Sequence, residues 1–559
     1  MLVLYGSETG NAAELAEVLG DRIRRMQIDC KVLPFGMVSV SDLQANKYVF
    51  VVCSTTGQGV LPGNAYPLWT ELLKASLARD TLQSVRFGAF GVGDNAYKQF
   101  NWAIRKIYTR FVQLGATSFV ARSEGDEQNP DGVEIVFDQW MDNALQVLAT
   151  ELKIEDILPV TAQLPPKYKI CFGTSPKVDK ALLKAKVAAN DRITAPDHFQ
   201  DVRHIKLDPE HPVKYEPGAV AYLYPSNVSV HVDALLDYQG WNDIADKELH
   251  VDEKWVELLS RPLVQPVTLR SLFTWHLDLN GIPRRSFFKL ASNFCSGNEA
   301  ERLAEFATTE GIDDLYNYAN RPRRSVIETI LEFESIKIPF EYILDLFPLI
   351  WPRAFSIASP TNQPTIELCV ALVKYKTILK RGRKGLCSRY IETLLPGDEI
   401  GITIEPAPIS IESKLQADQA VILVAAGTGI APVRSLLHTL KNHKAPIFLF
   451  FGCRFEHKDY LYGEEWKQMA EATDLTVFNA FSREGGGYVQ NQIEAAAEKI
   501  TAYLPTALVY LCGSSGSMPR AVREAFVDVL KRTRHLDEET AAKVMAYKEK
   551  HRTFIEETW

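Results

Sequence analysis

The sequence predicts a multidomain α/β protein in which two doubly wound parallel sheets are separated by an antiparallel β domain. Short apolar strands alternate with amphipathic helices over residues 1–147 and again over 411–559, a pattern typical of parallel sheets. Residues 171–410 are β-like at both ends, while about 226–345 follow a helical period and predict a helical insert. Residues 148–170 contain three prolines and no clear period, which indicates a linker.

The composition and charge are those of an ordinary globular protein with several domains. The 559 residues are 46% hydrophobic and 24% charged, which excludes disordered, collagen-like and coiled-coil chains. The formal net charge of −8 leaves no basic field that would attract nucleic acid or anionic lipid. We therefore expect about three or four domains and no nucleic-acid partner.

The cysteines and the apolar runs indicate the cell compartment. Eight cysteines are scattered without a Cys-x-x-Cys pair or a Cys/His cluster, a spacing that fits reduced thiols and no metal site. The apolar run at residues 1–5 is too short for a signal peptide or an anchor. No later run reaches the roughly 18 apolar residues of a membrane-spanning helix. We expect a cytoplasmic protein without a membrane anchor.

Three polar, glycine-containing loops follow successive strands of the first predicted sheet, at residues 7–12, 54–59 and 91–97. Parallel strands end at one edge of a sheet, so the three loops should form one crevice, where such sheets bind ligands. Backbone N–H groups and hydroxyls at a helix N-terminus can seat a phosphate. For residues 7–12 alone an ordinary helix cap is the alternative, but the two further loops favour a ligand site.

This arrangement resembles flavodoxin, and the resemblance implies an FMN-binding domain with the phosphate on the first loop and the ring between the other two. Related reductases often stack an aromatic ring from the second loop on the flavin; Thr56 stands there, so Tyr97 is the expected stacking ring. Glu127 is an expected contact, for which a solvated acidic loop is an equal alternative. The implied FMN-binding residues are Ser7, Glu8, Thr9, Gly10, Asn11, Ala12, Ser54, Thr55, Thr56, Gly57, Gly91, Val92, Gly93, Asp94, Asn95, Ala96, Tyr97, Lys98, Gln99, Phe100 and Glu127.

Two short motifs in the β domain are similar to those of ferredoxin–NADP reductase-like FAD domains. Residues 353–356 match an Arg-x-aromatic-Ser pattern, and residues 385–388 match a Gly-x-Cys-Ser loop that opens a helix. The resemblance implies that the arginine pairs with the FAD pyrophosphate, the aromatic ring stacks on the isoalloxazine and the serine faces N5. A strand with one paired arginine is the alternative for the first motif. The implied FAD-binding residues are Arg323, Arg353, Ala354, Phe355, Ser356, Gly385, Leu386, Cys387, Ser388 and Trp559.

The last segment carries a nucleotide loop at residues 427–432, between a strand and a helix. It resembles the Gly-Thr-Gly-x-Ala-Pro loop of ferredoxin–NADP reductases, whose 2′-phosphate clamp implies NADPH over NADH. Gly486 stands where the family has a lysine, which leaves the clamp one charge short, and Arg454 has a plain surface arginine as its alternative. The implied NADP-binding residues are Thr428, Arg454, Ser482, Arg483, Gly486, Gly487, Tyr488, Val489 and Gln490.

Four residues are expected at the reacting centre. The resemblance places the thiol of Cys512 beside the nicotinamide C4, with Ser356 and Glu557 assisting transfer, and Glu557 stands where relatives often have an aspartate. The C-terminal Trp559 is expected to cover the FAD ring. A small buried hydrophobe and a frayed tail are the alternatives for Cys512 and the terminus.

Together the three segments resemble the diflavin reductase family over essentially all 559 residues. The resemblance implies an enzyme that passes electrons from NADPH through FAD and FMN to a one-electron acceptor. The compact form is similar to the branch of NADPH-dependent diflavin oxidoreductases that reduces an iron–sulfur protein of the anamorsin type in cytosolic iron–sulfur cluster assembly. The alternatives are another acceptor (a haem protein, sulfite reductase or cobalamin enzyme) and a non-catalytic flavin-fold scaffold.

Overall fold

The computed structural model of the chain contains two parallel sheets and, between them in the sequence, an antiparallel barrel. The structure describes residues 1–56, 59–97, 99–129, 132–159, 162–175, 181–378, 380–407 and 409–558. The fold class expected from the sequence is confirmed, with both parallel sheets and the β domain in the predicted order.

The N-terminal domain is a parallel sheet with the strand order β2-β1-β3-β4-β5, in which β6 also pairs with β4. This order is that of flavodoxin-like sheets, which bind ligands where β1 and β3 diverge. Its strands are β1 (Leu2–Gly6), β2 (Lys31–Pro34), β3 (Tyr48–Ser54), β4 (Arg86–Gly93), β5 (Thr117–Ser118) and β6 (Ser123–Asp126). Its helices are α1 (Asn11–Arg25), α2 (Val40–Ala45), α3 (Tyr66–Leu72), α4 (Trp102–Gln113) and α5 (Gly132–Leu152).

Helix α1 shows how one face of a helix builds the core and the other remains polar. Ala12, Leu15, Ala16, Leu19 and Ile23 are buried against the sheet. The helical period places Asn11, Glu14, Glu17 and Asp21 on another face. Helix α5 packs on the same side of the sheet and ends at Leu152, inside the predicted linker.

The central β domain is an antiparallel sheet with the order β12-β10-β16-β8-β9-β13. An isolated bridge between Ile357 and Leu368 connects the two ends, so the barrel is nearly closed. Its strands are β8 (Leu183–Arg192), β9 (Val202–Pro209), β10 (Val220–Leu223), β12 (Arg353–Ser356), β13 (Ile366–Ala371) and β16 (Glu399–Glu405). A hairpin of β14 (Lys374–Lys376) and β15 (Gly382–Lys384) leads into helix α14 (Leu386–Thr393).

A helical insert separates β10 from β12 and has its own apolar core. A short strand before the barrel, β7 (Ile170–Phe172), pairs with β11 (Leu249–Val251) of the insert. The helices of the insert are α6 (Ser229–Gln239), α7 (Glu253–Glu257), α8 (Leu269–Trp275), α9 (Arg285–Ala291), α10 (Gly297–Glu305), α11 (Ile312–Leu315), α12 (Val326–Glu332) and α13 (Ile343–Leu346).

The C-terminal domain is a parallel sheet with the order β19-β18-β17-β20-β21. Counted along the domain this is 3-2-1-4-5, the order of nucleotide-binding doubly wound sheets. Its strands are β17 (Val421–Ala426), β18 (Ile447–Cys453), β19 (Leu475–Phe481), β20 (Leu508–Gly513) and β21 (Phe554–Thr558). Its helices are α15 (Ile430–Thr439), α16 (Glu456–Asp459), α17 (Gly463–Ala472), α18 (Val489–Ala495), α19 (Ala497–Ile500), α20 (Met518–Arg534) and α21 (Glu538–Lys550).

The barrel and the C-terminal domain share one apolar core, which contains Val202, Ala358 and Cys369 of the barrel. Arg434 of α15 lies at the same boundary. Its guanidinium donates to Glu367 of the barrel at 2.6 Å and to Glu465 of α17 at 2.9 Å. Removing one partner of such a buried pair would leave the other charge unpaired, at a cost of about 3–5 kcal/mol. The shared core and these ion pairs therefore hold the two domains together tightly.

The N-terminal domain meets the insert through polar side chains instead. Helix α9 lies along α1, and the Ser286 N–H and hydroxyl donate to the Glu14 carboxylate, both at 2.7 Å. Arg285 pairs with Asp138 of α5 at 3.2 Å, and Lys167 pairs with Glu17 at 2.6 Å. We call this contact the polar seam.

The described residues lack a membrane-spanning helix, a cluster of metal ligands and a disulfide. No helix among them is long and apolar enough to cross a membrane. No three of their His, Cys, Asp or Glu side chains group as metal ligands. All eight cysteines lie among them, and each is free.

Replacing Phe137 of α5 by alanine should destabilise the N-terminal domain alone. The ring is fully buried and packs against Phe90 and Trp140, and such truncations cost about 3–5 kcal/mol. Differential scanning calorimetry of the full chain should show one transition move down while the others stay. Val112→Ala, at a half-exposed position of α4, should change stability by less than about 0.5 kcal/mol. A uniform shift of every transition would contradict an independent N-terminal core.

Candidate functional site

The first predicted phosphate loop joins β1 to α1 and is held in a narrow turn. Gly10 has φ 93°, which favours glycine, and its N–H donates to the Ser7 hydroxyl at 2.9 Å. The Ser7 N–H donates to the Asn64 side chain at 3.0 Å, and the Gly63 N–H donates to Glu8 at 3.2 Å. The turn therefore presents the N-terminus of α1 at the edge where β1 and β3 diverge.

The other two loops and the loop after β6 converge on the same edge. The Thr55 N–H donates to the Val92 carbonyl at 2.9 Å, which joins the second loop to the third. The Asn95 N–H donates to Asp126 at 3.1 Å. The Asn11 side chain donates to Glu127 at 3.0 Å, which joins the first loop to the last. The structure thus brings the predicted FMN loops together in one crevice.

The predicted members of this crevice differ in what they can offer. Ala12 and Val92 are buried in the core, so only their backbone can face a ligand. Tyr97 has 47% of its surface exposed and is free to stack on a flat ring. Thr56 is turned away, because its hydroxyl donates to the Val60 carbonyl. Gly57 and Lys98 lie outside the described residues.

The two motifs predicted to bind FAD, at residues 353–356 and 385–388, lie at the end of the barrel next to the insert. Arg353 and Ala354 of β12 are exposed, and Phe355 and Ser356 are half-buried. Gly385 is the N-cap of α14, whose first N–H groups are free to meet a phosphate.

Leu386, Cys387 and Ser388 are buried, and the Ser388 hydroxyl accepts the Val373 N–H at 2.8 Å. Burial raises the pKa of the Cys387 thiol to about 12, while nearby Arg353 opposes the shift. The motif residues of β12 and α14 are therefore neighbours across the barrel end.

The predicted contact from Arg323 is less direct. Arg323 is exposed and has φ 53° in the turn before α12. The next residue, Arg324, stacks on Tyr318 with the guanidinium carbon 4.2 Å from the ring centre. Arg324 also lines an open groove with Ile378 of the β14–β15 hairpin. The role of Arg323 as an FAD contact stays a prediction. The groove itself is lined by the next residue, Arg324.

In the C-terminal domain, the loop 427–429 lies where β17 and β20 diverge. Gly427 has φ 54°. A Cβ on Gly429 would lie 2.4 Å from the Cys512 carbonyl oxygen, so the backbones of the two strand ends approach too closely for any side chain. Thr428, between them, is half-buried at the mouth of the crevice.

The residues predicted to hold the 2′-phosphate follow the next two strands. Cys453 and Phe481 pair at the ends of β18 and β19. Ser482 donates from its N–H to the Cys453 carbonyl at 2.9 Å, and the Arg483 N–H donates to the Arg454 carbonyl at 3.0 Å. The structure therefore places Arg454 and Arg483 side by side at one exposed edge.

Tyr488, Val489 and Gln490 begin α18, beside these two arginines. Tyr488 is the N-cap and has 54% of its surface exposed, so its ring is free to cover an adenine. Val489 is buried, and a Cβ on Gly452 would lie 2.8 Å from its methyl group. Gln490 is half-buried.

Position 486, where the family has a lysine, is too crowded in this structure for a side chain. The Gly486 N–H donates to the Phe481 carbonyl at 3.1 Å, which closes a tight turn. A Cβ on Gly486 would lie 2.9 Å from the Phe481 nitrogen, a backbone atom that cannot move aside. Gly487 continues the turn with φ 66°. This turn excludes a side chain at 486, so the cationic charge here comes from Arg454 and Arg483.

Comparisons with known proteins agree with this geometry. A flavodoxin model matches residues 3–140, an FAD binding domain model matches 175–390, and an oxidoreductase NAD-binding domain model matches 423–524. The NADPH-dependent diflavin oxidoreductase 1 of Debaryomyces hansenii is 38% identical and covers 100% of this chain and 98% of its own. Those of Yarrowia lipolytica and Saccharomyces cerevisiae are 38% and 35% identical, covering 100% of this chain and 88% and 99% of their own. The chain belongs to the NADPH-dependent diflavin oxidoreductase family.

FMN, FAD and NADPH are the cofactors of this diflavin oxidoreductase. The residues present fit these groups. The first loop offers a helix N-terminus and hydroxyls for a phosphate, and α14 offers a second helix N-terminus beside Arg353. Two exposed arginines stand at the edge predicted for the 2′-phosphate.

The predicted reacting centre of the diflavin oxidoreductase contains a buried acid. Glu557 of β21 pairs with Cys512 of β20 in the register of the sheet, and Cys512 is fully buried. The Tyr510 hydroxyl donates to Glu557 Oε2 at 2.6 Å. Glu557 Oε1 is buried and has no hydrogen-bond partner among the described residues. Burial raises the pKa of Glu557 to about 7, and the Tyr510 hydrogen bond opposes this shift.

Glu557 also faces the barrel. A Cβ on Gly218 would lie 3.1 Å from Glu557 Oε1, and Gly218 precedes β10. Val220 of β10 pairs with Ser356 of β12. The structure thus places Cys512 and Glu557 at the boundary between the C-terminal domain and the barrel, near the strands β10 and β12 that pair through Val220 and Ser356. Trp559 lies outside the described residues.

Sequence reasoning missed two residues of these sites. Tyr510 alternates with Cys512 along β20, so the period of two could have placed both on one face. Arg284 of the insert donates to the first FMN loop from more than 270 residues away. No local pattern in the sequence connects it to that loop.

Glu557→Gln should change how stability depends on pH. The folded carboxyl has a raised pKa of about 7, so stability is fully present below the unfolded pKa near 4.3 and is lost as pH rises through 7. Between pH 5 and 8 the wild type should lose about 2–3 kcal/mol relative to Glu557→Gln. Thermal unfolding at several pH values measures this. Glu498→Gln, at an exposed position of the same domain, is the control, and parallel curves for wild type and Glu557→Gln would contradict the prediction.

Proposed function

We propose that this diflavin oxidoreductase delivers single electrons to a separate iron–sulfur protein of the anamorsin type, in cytosolic iron–sulfur cluster assembly. The end-to-end match with compact relatives carries the proposal. The three matched models leave internal gaps at residues 141–174 and 391–422, which are too short for a further domain. The acceptor in this proposal is a separate protein, and a cytoplasmic location belongs to the same proposal.

The bound cofactors supply the redox chemistry: NADPH provides two electrons, and the two flavins pass them on one at a time. The chain supplies binding and orientation. The loops at 7–12, 54–57 and 91–97 would hold FMN, with Tyr97 against its ring. The strand 353–356 and the loop 385–388 would hold FAD.

One residue of the first FMN loop acts electrostatically on the strands expected to hold FAD. Tyr222 of β10 pairs with Ala354 of β12. Burial, then Glu405 and Glu8, raise the pKa of Tyr222 to about 12, so Glu8 of the first FMN loop lies close to this strand pair. This placement supports direct passage of electrons between the two flavin sites within one chain.

At the other side of the barrel, Ser356, Cys512 and Glu557 would line the place where the nicotinamide meets the FAD ring. Glu557 holds its proton up to about neutral pH, because burial raises its pKa to about 7. Tyr510 fixes one oxygen of that carboxyl and leaves Oε1 free to act toward a ligand. The prediction that Trp559 covers the FAD ring is kept.

The predicted site for the 2′-phosphate can be tested by comparing NADPH with NADH. Arg483→Ala should raise the KM for NADPH by roughly 10-fold or more and leave the KM for NADH within about twofold, because charge-assisted contacts contribute about 1.5–3 kcal/mol. Steady-state kinetics with both nucleotides measures this. Lys499→Ala, at another exposed cation of the same domain, should change neither KM. Equal changes for the two nucleotides would contradict the assignment of Arg483.

The acceptor is tested by direct reduction. The purified chain should carry FMN and FAD in about equal amounts, and NADPH should drive reduction of a purified anamorsin-type iron–sulfur protein, followed by its visible absorbance. Cytochrome c serves as a permissive acceptor. Exposed Glu8 and Glu127 border the FMN crevice, so added salt should weaken docking of a basic acceptor surface. Reduction of cytochrome c without reduction of the iron–sulfur protein would support one of the other acceptors. A colourless protein without flavin would support the scaffold.

A further inference from the structure

The first FMN loop is touched by a side chain from another domain. Arg284 of the insert is the N-cap of α9. Its Nη2 donates to the Thr9 carbonyl at 2.8 Å, and its Nη1 donates to the Asn11 side chain at 3.2 Å. In the described part of the chain, it is the only cationic side chain that hydrogen-bonds residues 7–12.

The absence of a side chain at position 10 makes this approach possible. A Cβ on Gly10 would lie 2.8 Å from Arg284 Nη2. Gly10 also has φ 93°, which already favours glycine. The positive φ requires the glycine, and a side chain at position 10 would also displace the Arg284 guanidinium from its present contacts.

The charge around the loop shows why a cation is useful there. Glu8 belongs to the loop, and Glu127 accepts a hydrogen bond from Asn11. A phosphate monoester carries close to two negative charges at pH 7, so it would meet these carboxylates with the helix N-terminus and the uncharged loop hydroxyls to favour it. A guanidinium has five N–H groups in a planar fork that suits phosphate oxygens. Arg284 uses two of them on the loop itself.

We propose that Arg284 is a direct ligand of the FMN phosphate, so that FMN binding and docking of the N-terminal domain on the insert reinforce each other. The FMN site then spans two domains. Arg284 is followed by Arg285 and Ser286, which make the polar seam with Asp138 and Glu14. Because coupling between two equilibria is reciprocal, FMN should tighten the seam as much as the seam tightens FMN. This inference rests on the proposed role of residues 7–12 as the phosphate loop.

The test compares FMN with riboflavin, which has the same ring and no phosphate. Full-length chain freed of FMN is titrated with each ligand, and binding is followed by quenching of flavin fluorescence. Arg284→Ala should raise the Kd for FMN about 10- to 100-fold and change the Kd for riboflavin by less than about twofold. Arg284→Lys should fall between wild type and Arg284→Ala. Arg302→Ala removes an exposed cation of the insert that pairs with Glu305 and Asp314 of the insert itself and is the matched control, with both constants unchanged.

A variant of the first loop distinguishes the role of the loop in binding phosphate from the role of Arg284. Ser7→Ala combined with Thr9→Val should weaken FMN more than riboflavin whatever Arg284 does. If this variant loses FMN selectively and Arg284→Ala does not, the phosphate loop stands and the proposal for Arg284 is overturned. If neither variant distinguishes FMN from riboflavin, the assignment of the loop fails, and the proposal fails with it. An equal loss of both ligands in Arg284→Ala also overturns it.

Hydrogen exchange measures the coupling without any reference to activity. In the wild type, FMN should slow amide exchange across residues 285–291, because phosphate binding holds α9 against α1. In Arg284→Ala, FMN added to saturation should leave exchange in this helix unchanged. Retained FAD content and an unshifted calorimetric transition show that the variant is folded. FMN-dependent protection of α9 that persists in Arg284→Ala would overturn the coupling.

Discussion

The helix N-termini at the carboxyl edges of the two parallel sheets are the feature on which the rest of the molecule depends. Each sheet ends all its strands at one edge, and helices α1 and α15 begin there. Backbone N–H groups at such N-termini favour a phosphate or a pyrophosphate. The loops must therefore be tight, which explains glycine with positive φ at Gly10 and at Gly427.

The three domains are joined in two different ways. The barrel and the C-terminal domain share an apolar core and the buried ion pairs of Arg434. The N-terminal domain meets the insert through ion pairs and hydrogen bonds of α1 with α9. Polar contacts exchange with water at a small net free energy, whereas separating an apolar core exposes its surface to water. The N-terminal domain is therefore joined the more weakly, and it carries the crevice predicted to hold FMN.

Burial sets the chemistry at the boundary of the barrel and the C-terminal domain. Tyr510, Cys512 and Glu557 lie on one side of the sheet and face away from water. Desolvation penalises the charged forms, so the thiol and the phenol remain protonated and the carboxyl keeps its proton near neutral pH. The side chains of Tyr510, Cys512 and Glu557 are therefore uncharged when protonated, but each still has a polar atom. Such a site can orient a ligand without adding a fixed charge beside it.

The sequence by itself determined the fold class and the loops, because both are local. Alternating periods predict strands and helices, and a glycine-containing turn between a strand and a helix predicts a phosphate seat, as at residues 7–12 and 427–432. Only the tertiary structure decided which distant side chains complete these seats. Arg284 reaches Thr9 across 275 positions of sequence, and Tyr510 reaches Glu557 across 47. The reason lies in chain geometry: periodicity reports contacts within a few residues, whereas packing of whole domains brings together residues that no spacing relates.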